Sequence, residues 1–139
     1  MAGIGTRLLK IEVDSVEYTA QVSTCAITSN PSESDFTSFA DAAAGGARDY
    51  ALHVVAMQDA ASASFWTLVW AQLGDELPVT VMPYGNATPS VGEPHFEGTI
   101  VVREPDGDLL GGEANRSTSA RQVIDVTWPF LAKPTKVTA

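Results

Sequence analysis

The sequence is poor in the residues that most chemistry needs. Among its 139 residues are one cysteine, Cys25, two histidines, His53 and His95, and eight lysines and arginines. One cysteine excludes an internal disulfide, so stability must come from an apolar core. A chain of this length folds as one domain, spanning residues 1–139, and buries enough surface to do so. Neither histidine has a His or Cys partner at metal-ligand spacing, and no neighbouring motif activates Cys25. The eight cations face seventeen acidic residues, for a net charge of −9. The nearest approach to a basic patch, Arg103, Arg116 and Arg121, is interrupted by Glu104, Asp106, Asp108 and Glu113. Tight nucleic-acid binding needs phosphates neutralised by clustered cations, and the sequence offers none. Long apolar runs are also missing. The densest, SFWTLVWAQL at 64–73, falls short of the about 20 residues that cross a bilayer. The opening MAGIGTRLLK lacks the apolar centre of a signal peptide. The expectation is a soluble protein without membrane, metal or cofactor.

Catalytic constellations are absent by the same reading. GGEAN at 111–115 lacks the Lys-Ser or Lys-Thr of a phosphate loop, and no helix is expected after it. The carboxylates at Asp75–Glu76 and at 104–108 fall in turns, where solvated charge is the ordinary state. The lone histidines read as packing or surface groups and Cys25 as buried and inert. The sequence does not read as an enzyme.

What the chain does contain is alternation. RLLKIEV at 7–13 reads as a strand, DS at 14–15 as a turn, and VEYTAQVSTCAIT at 16–28 as its hairpin partner. In the latter, Val16, Tyr18, Ala20 and Val22 fall on one face and Glu17, Thr19, Gln21 and Ser23 on the other. Residues 29–47 break the pattern with Pro31, Gly45 and Gly46. This is long for a connection, and Phe36 and Phe39 within it call for a packing partner. RDYALHVVAMQ at 48–58 is a strand with Tyr50, Leu52, Val54 and Ala56 on one face. DAASASFWTLVWAQLG is the one substantial helix, started by Asp59 or Ser62 and stopped at Gly74. Phe65, Leu68, Val69 and Leu73 lie at helical spacing beside an i, i+4 pair, Trp66 and Trp70. Strands follow at ELPVTVMPYG, at GEPHFEGTIVVR and at ARQVIDVTWPF. In the last, Ile124, Val126 and Trp128 oppose Val123, Asp125 and Thr127. Residues 131–139 read as an exposed C-terminal arm. The fold class is mainly β: a β-sandwich or small barrel of about six to seven strands with one flanking α-helix.

The order hairpin, long loop, strand, aromatic helix, strands and arm resembles the major tail tube proteins of long-tailed (siphovirus-type) bacteriophages. The segments DYALHVVAMQDAASASFWTLVWAQLGDELPVTVMPYG and QVIDVTWPFLAKPTKVT carry the likeness, which points to phages of high-GC Gram-positive hosts. The resemblance implies the phage tail tube fold and a structural virion protein. Homo-hexameric rings would stack into a tube that conducts genomic DNA into the host. A tape measure protein would lie inside, with tail terminator and distal tail proteins at the ends, and double-stranded DNA would pass without specific binding. Assembly would take place in the host cytoplasm and the product would reside in the virion. The resemblance further implies that the loop after the hairpin reaches the adjacent ring through Phe36, Phe39 and Asp41. The helix, with Phe65, Trp66 and Trp70, would lie at the contact between neighbours, whereas the residues themselves read Trp66 and Trp70 as filling the domain's own core, with one of them between subunits as the alternative. Glu17, Thr19, Gln21 and Ser23, with Asp125 and Thr127, are candidates for a lumen face that repels phosphate, or else for a solvated outer face. Two other readings remain: a monomeric β-sandwich binding module, for carbohydrate for instance, and a tube subunit of a contractile or secretion system.

Overall fold

The structure is a computed structural model that describes residues 3–32, 36–46 and 48–139. It is mainly β, with eight strands in two antiparallel sheets among the described residues. Strands β1 (Lys10–Val13) and β2 (Val16–Glu17) form the first hairpin. Asp14 and Ser15 turn it with φ of 52° and 65°. Positive φ at both turn residues matches the twist of the paired strands, and Asp tolerates that region well.

The expected second strand does not run on to residue 28. After Glu17 the chain makes a 3₁₀ turn at Thr19–Gln21, and β3 (Val22–Pro31) begins beyond it. Local hydrogen bonds to β1 replace strand pairing here. The Tyr18 N–H donates to the Ile11 carbonyl at 3.0 Å, and the Ile11 N–H donates to Thr19 Oγ1 at 3.2 Å. Tyr18 is thereby buried edge-on against Phe65, with ring centroids 5.7 Å apart, while Val16 and Ala20 stay exposed. The apparent period of two across 16–22 was coincidental, because a core contact made by Tyr18 governs the path.

β3 pairs along its length with β4 (Arg48–Met57), apart from a bulge between Val22 and Thr24. β4 in turn pairs with β7 (Val123–Pro129), which completes a three-stranded sheet in the order β3-β4-β7. The second sheet has the order β2-β1-β5-β6-β8, with β5 at Glu76–Met82, β6 at His95–Val101 and β8 at Thr135–Val137. Alternation decides which residues meet between the sheets. Leu52, Val54, Ala56, Ile124, Val126 and Trp128 face Ile11, Val13, Leu77, Val79, Val81 and Ile100, all of them buried.

Two expectations at the chain's turns are corrected. The interval 29–47 is not wholly loop. Strand pairing extends to Pro31 opposite Arg48, and a short helix, α1 (Phe39–Ala43), lies between the strands. A capping box starts α1: Ser38 Oγ accepts from the Asp41 N–H and Asp41 Oδ2 accepts from the Ser38 N–H. The tail is not an arm either, since β8 adds to β6 through His95 opposite Val137. The crossing is made at Phe130, whose N–H donates to the Tyr50 carbonyl at 2.8 Å while the Leu131 N–H donates to Thr99 at 3.0 Å. The Phe130 ring lies across Gly98, where any Cβ would come within 2.7 Å of Cε1. Glycine at 98 thus lets the chain pass from one sheet to the other.

The aromatic helix, α2 (Phe65–Ala71), starts at Ser64 and not at Asp59 or Ser62. Ser64 Oγ accepts from the Thr67 N–H, and the hydroxyl also reaches the carbonyls of Asp59 and Ala61. A buried serine that meets so many local partners is a better start than the aspartate upstream, whose carboxylate accepts from the Ala61 N–H instead.

Candidate assembly surfaces

The edges of the two sheets differ. The five-stranded sheet ends in β2 and β8, of two and three residues. Short edge strands are the usual protection against unwanted pairing. The three-stranded sheet ends in β3, of ten residues, and β7, of seven. Each pairs on one side only among the described residues. β3 reads VSTCAITSNP, with no charged residue and proline only at its last position. It has none of the lysines or inward charges that keep an edge from pairing.

The outward face of this sheet follows from the register. Ala26 lies opposite His53 and His53 opposite Thr127; Thr28 lies opposite Ala51; Val55 lies opposite Asp125. Asp49 shares the face, two residues before Ala51. The surface is rich in hydroxyls and carries two carboxylates. Sequence reasoning missed its main polar contact: His53 Nε2 lies 2.6 Å from Asp125 Oδ1. The pair is diagonal across β4 and β7 and 72 residues apart in sequence, so spacing along the chain held no signal for it. It ties the edge strand β7 to the centre of the sheet.

Of the six residues expected on one polar face, Asp125 and Thr127 do share this outward surface. Ser23 lies at the bulge, where its hydroxyl donates to the Val55 carbonyl at 3.3 Å. Glu17, Thr19 and Gln21 are elsewhere, since the 3₁₀ turn removes them from any common strand face. Glu17 Oε1 accepts from Thr19 Oγ1, and Gln21 Oε1 accepts from the Phe65 N–H at 2.8 Å. Gln21 is thus a second cap of α2.

The helix divides between core and surface. Phe65 is fully buried, stacked on Trp128 with centroids 5.1 Å apart, so it cannot reach a neighbour. Trp66 is 9 % exposed and its indole N–H donates to the Leu109 carbonyl at 2.7 Å. Trp70 stacks on Trp66 at 5.3 Å and stands 57 % exposed beside Leu73. The outward apolar side of α2 is therefore Trp70 and Leu73.

The sequence matches no protein-family model and no curated protein.

Two hollows accompany these surfaces. A cleft of about 730 Å³ is lined by Gln58, Asp59, Trp66, Glu113 and Arg121. Its amides are occupied: Gln58 bonds both the N–H and the carbonyl of Gly111, and Gln122 bonds the Glu113 carbonyl. With Trp66 nearly buried, it offers no exposed aromatic platform for a sugar ring. The other is an apolar crevice of about 520 Å³ between the sheets, formed by Leu9, Cys25, Ile27, Val81 and Phe96. Lys133 and Lys136 stand at its margin. Burial pushes the Cys25 thiol up to about 12, although the residue is half-buried and not fully enclosed as expected. His95 is buried with Nε2 2.8 Å from the Asn86 carbonyl, a packing role as expected. Among the described residues no group of three or more His, Cys, Asp or Glu could hold a metal ion, and no helix is long and apolar enough to cross a membrane.

Proposed function

We propose that this chain is a structural subunit of the tail tube of a long-tailed bacteriophage. Copies close into a ring by joining the free edges of their three-stranded sheets, and rings stack into a tube through which double-stranded DNA passes. The observation that carries this reading is the ten-residue edge of β3, in a molecule whose other sheet ends in strands of only two and three residues. Closure around an axis satisfies such an edge without leaving a new one.

The strand arithmetic supports the same reading. Six copies of a three-stranded sheet make an eighteen-stranded barrel, and about 16–18 strands leave an aqueous channel. The outward face that would line that channel carries Asp49 and Asp125, with Thr24, Thr28 and Thr127 between them. A wall of carboxylates and hydroxyls does not release counterions from DNA and so does not hold it. The Phe39-bearing lobe stands at the tip of the β3–β4 hairpin, where an axial contact with the next ring would be made. A tape measure protein would occupy the bore, terminator and distal proteins would cap it, and the virion would be its location.

The test is negative-stain electron microscopy of the purified chain, with sedimentation over a wide concentration range. Rings or hollow tubes are the expected outcome. A strict monomer at high concentration, with no rings on addition of salt or crowding agent, would remove the proposal.

A further inference from the structure

Two features in the molecule lack an obvious purpose within a single subunit. The first is Phe39. It opens α1, a helix held by its own capping box, yet the ring is 97 % exposed. An ordered element that displays a phenyl group to water gains nothing from it in isolation. The second is the apolar crevice of about 520 Å³ between the sheets, lined by Ile27 and Phe96 among others. An apolar cavity of about 150 Å³ already holds benzene, so there is room here for a phenyl ring and part of the helix behind it.

Charge matches the two. The chain has three lysines, and two of them, Lys133 and Lys136, border the crevice. By sequence, residues 29–47 contain Glu33, Asp35 and Asp41 and no lysine or arginine. In a molecule of net charge −9, two of the eight lysines and arginines stand beside the apolar hollow, and the segment 29–47 that carries the exposed ring holds only acidic charge. Complementary charge guides encounter and fixes orientation, while the buried ring supplies most of the holding force.

We propose that the crevice is the receptor for Phe39 of a second copy, with Asp41 of that copy facing Lys133 and Lys136. The inference rests on the tube reading and names the contact that joins one ring to the next. The subunit does not fill its own crevice, because its Phe39 stands in solvent. Leu9, Ile27, Phe96 and Pro134 line the receptor.

The test places a photo-reactive p-benzoylphenylalanine at position 39 of the full chain and mixes isotopically heavy and light copies before illumination. Cross-links from position 39 to Ile27, Phe96 or Pro134 that join heavy to light chains are expected. Cross-links within one copy would overturn the proposal, since the loop would then occupy its own crevice. Rings or tubes without any cross-link to the crevice would overturn it and leave the tube reading standing. A monomer at every concentration would sink both. Phe39→Ala, and separately Lys133→Glu with Lys136→Glu, are expected to weaken ring stacking at least about tenfold while leaving single rings intact. Stacking unchanged in Phe39→Ala would overturn the inference. Thermal melting of these variants should match the parent, because the altered side chains are exposed.

Discussion

Phe65 and Trp70 are five residues apart on one helix and have opposite fates. Phe65 sits between Tyr18 and Trp128 with no exposed surface, whereas Trp70 stacks on Trp66 and is 57 % exposed. Phe65→Ala should lower stability by about 3–5 kcal/mol, through lost burial and the cavity left behind. Trp70→Ala should cost less than about 1 kcal/mol in the isolated subunit. Urea unfolding of both variants checks the contrast, and near-equal losses would mean that the helix is seated differently. A second prediction concerns protons. Burial raises the Cys25 thiol to about 12, and burial with the nearby Asp14 charge raises the Tyr18 phenol as well. The fold therefore favours the protonated forms. The unfolded chain releases its cysteine proton near 9, so stability is intact below that pH and falls as pH climbs from about 9 towards 12. Cys25→Ala should flatten the first part of that decline in denaturant titrations at pH 8 to 10.5. Alkylation of the native thiol at pH 8 should be slow for the same reason.

At the scale of elements, β3 concentrates the functional argument. Ala26 is exposed on its outward face, so Ala26→Lys should leave the monomer's melting temperature nearly unchanged. It should abolish ring formation, because a lysine on an edge strand opposes pairing with another chain. Sedimentation separates the two effects, and rings that persist in the variant would mean that lateral contacts do not use this edge. Several elements were legible in the sequence because one sheet face is buried. Leu52, Val54 and Ala56 in β4, Leu77, Val79 and Val81 in β5, and Ile124, Val126 and Trp128 in β7 all show the period-two signal and are all core. The signal misled at 16–22, where hydrogen bonds from Tyr18 and to Thr19 bend the chain, and at the tail, where β8 has only three residues and its partner, β6, is set by the crossing at Phe130. The His53–Asp125 contact and the crevice depend on strand order, which local patterning does not encode. The exposure of Phe39 was not legible, since the sequence reading had Phe36 and Phe39 calling for a packing partner.

At the scale of the whole molecule, charge is the governing quantity. A net charge of −9 disfavours tight binding to DNA. The consequence for transport can be measured on assembled tubes. Asp49→Lys with Asp125→Lys should convert an indifferent bore into a retaining one. Labelled duplex DNA should then co-sediment with the variant tubes at low salt and be released as salt rises, whereas the parent tubes should hold none at either condition. Retention by the parent at low salt would argue that cations, and not the acidic sheet, line the passage.

The β3–β4 hairpin has a mechanical implication. In the proposed tube, the strand that offers a flank to the copy beside it also leads to the segment bearing Phe39, and its pairing with β4 runs unbroken from Thr24 to Pro31. In a growing cylinder, seating the lobe would steady that flank, and joining flanks would aim the lobe. Growth on an existing end should then outpace the birth of new cylinders by a wide margin, so that a solution of subunits waits, quiet and dispersed, until something supplies the first ring.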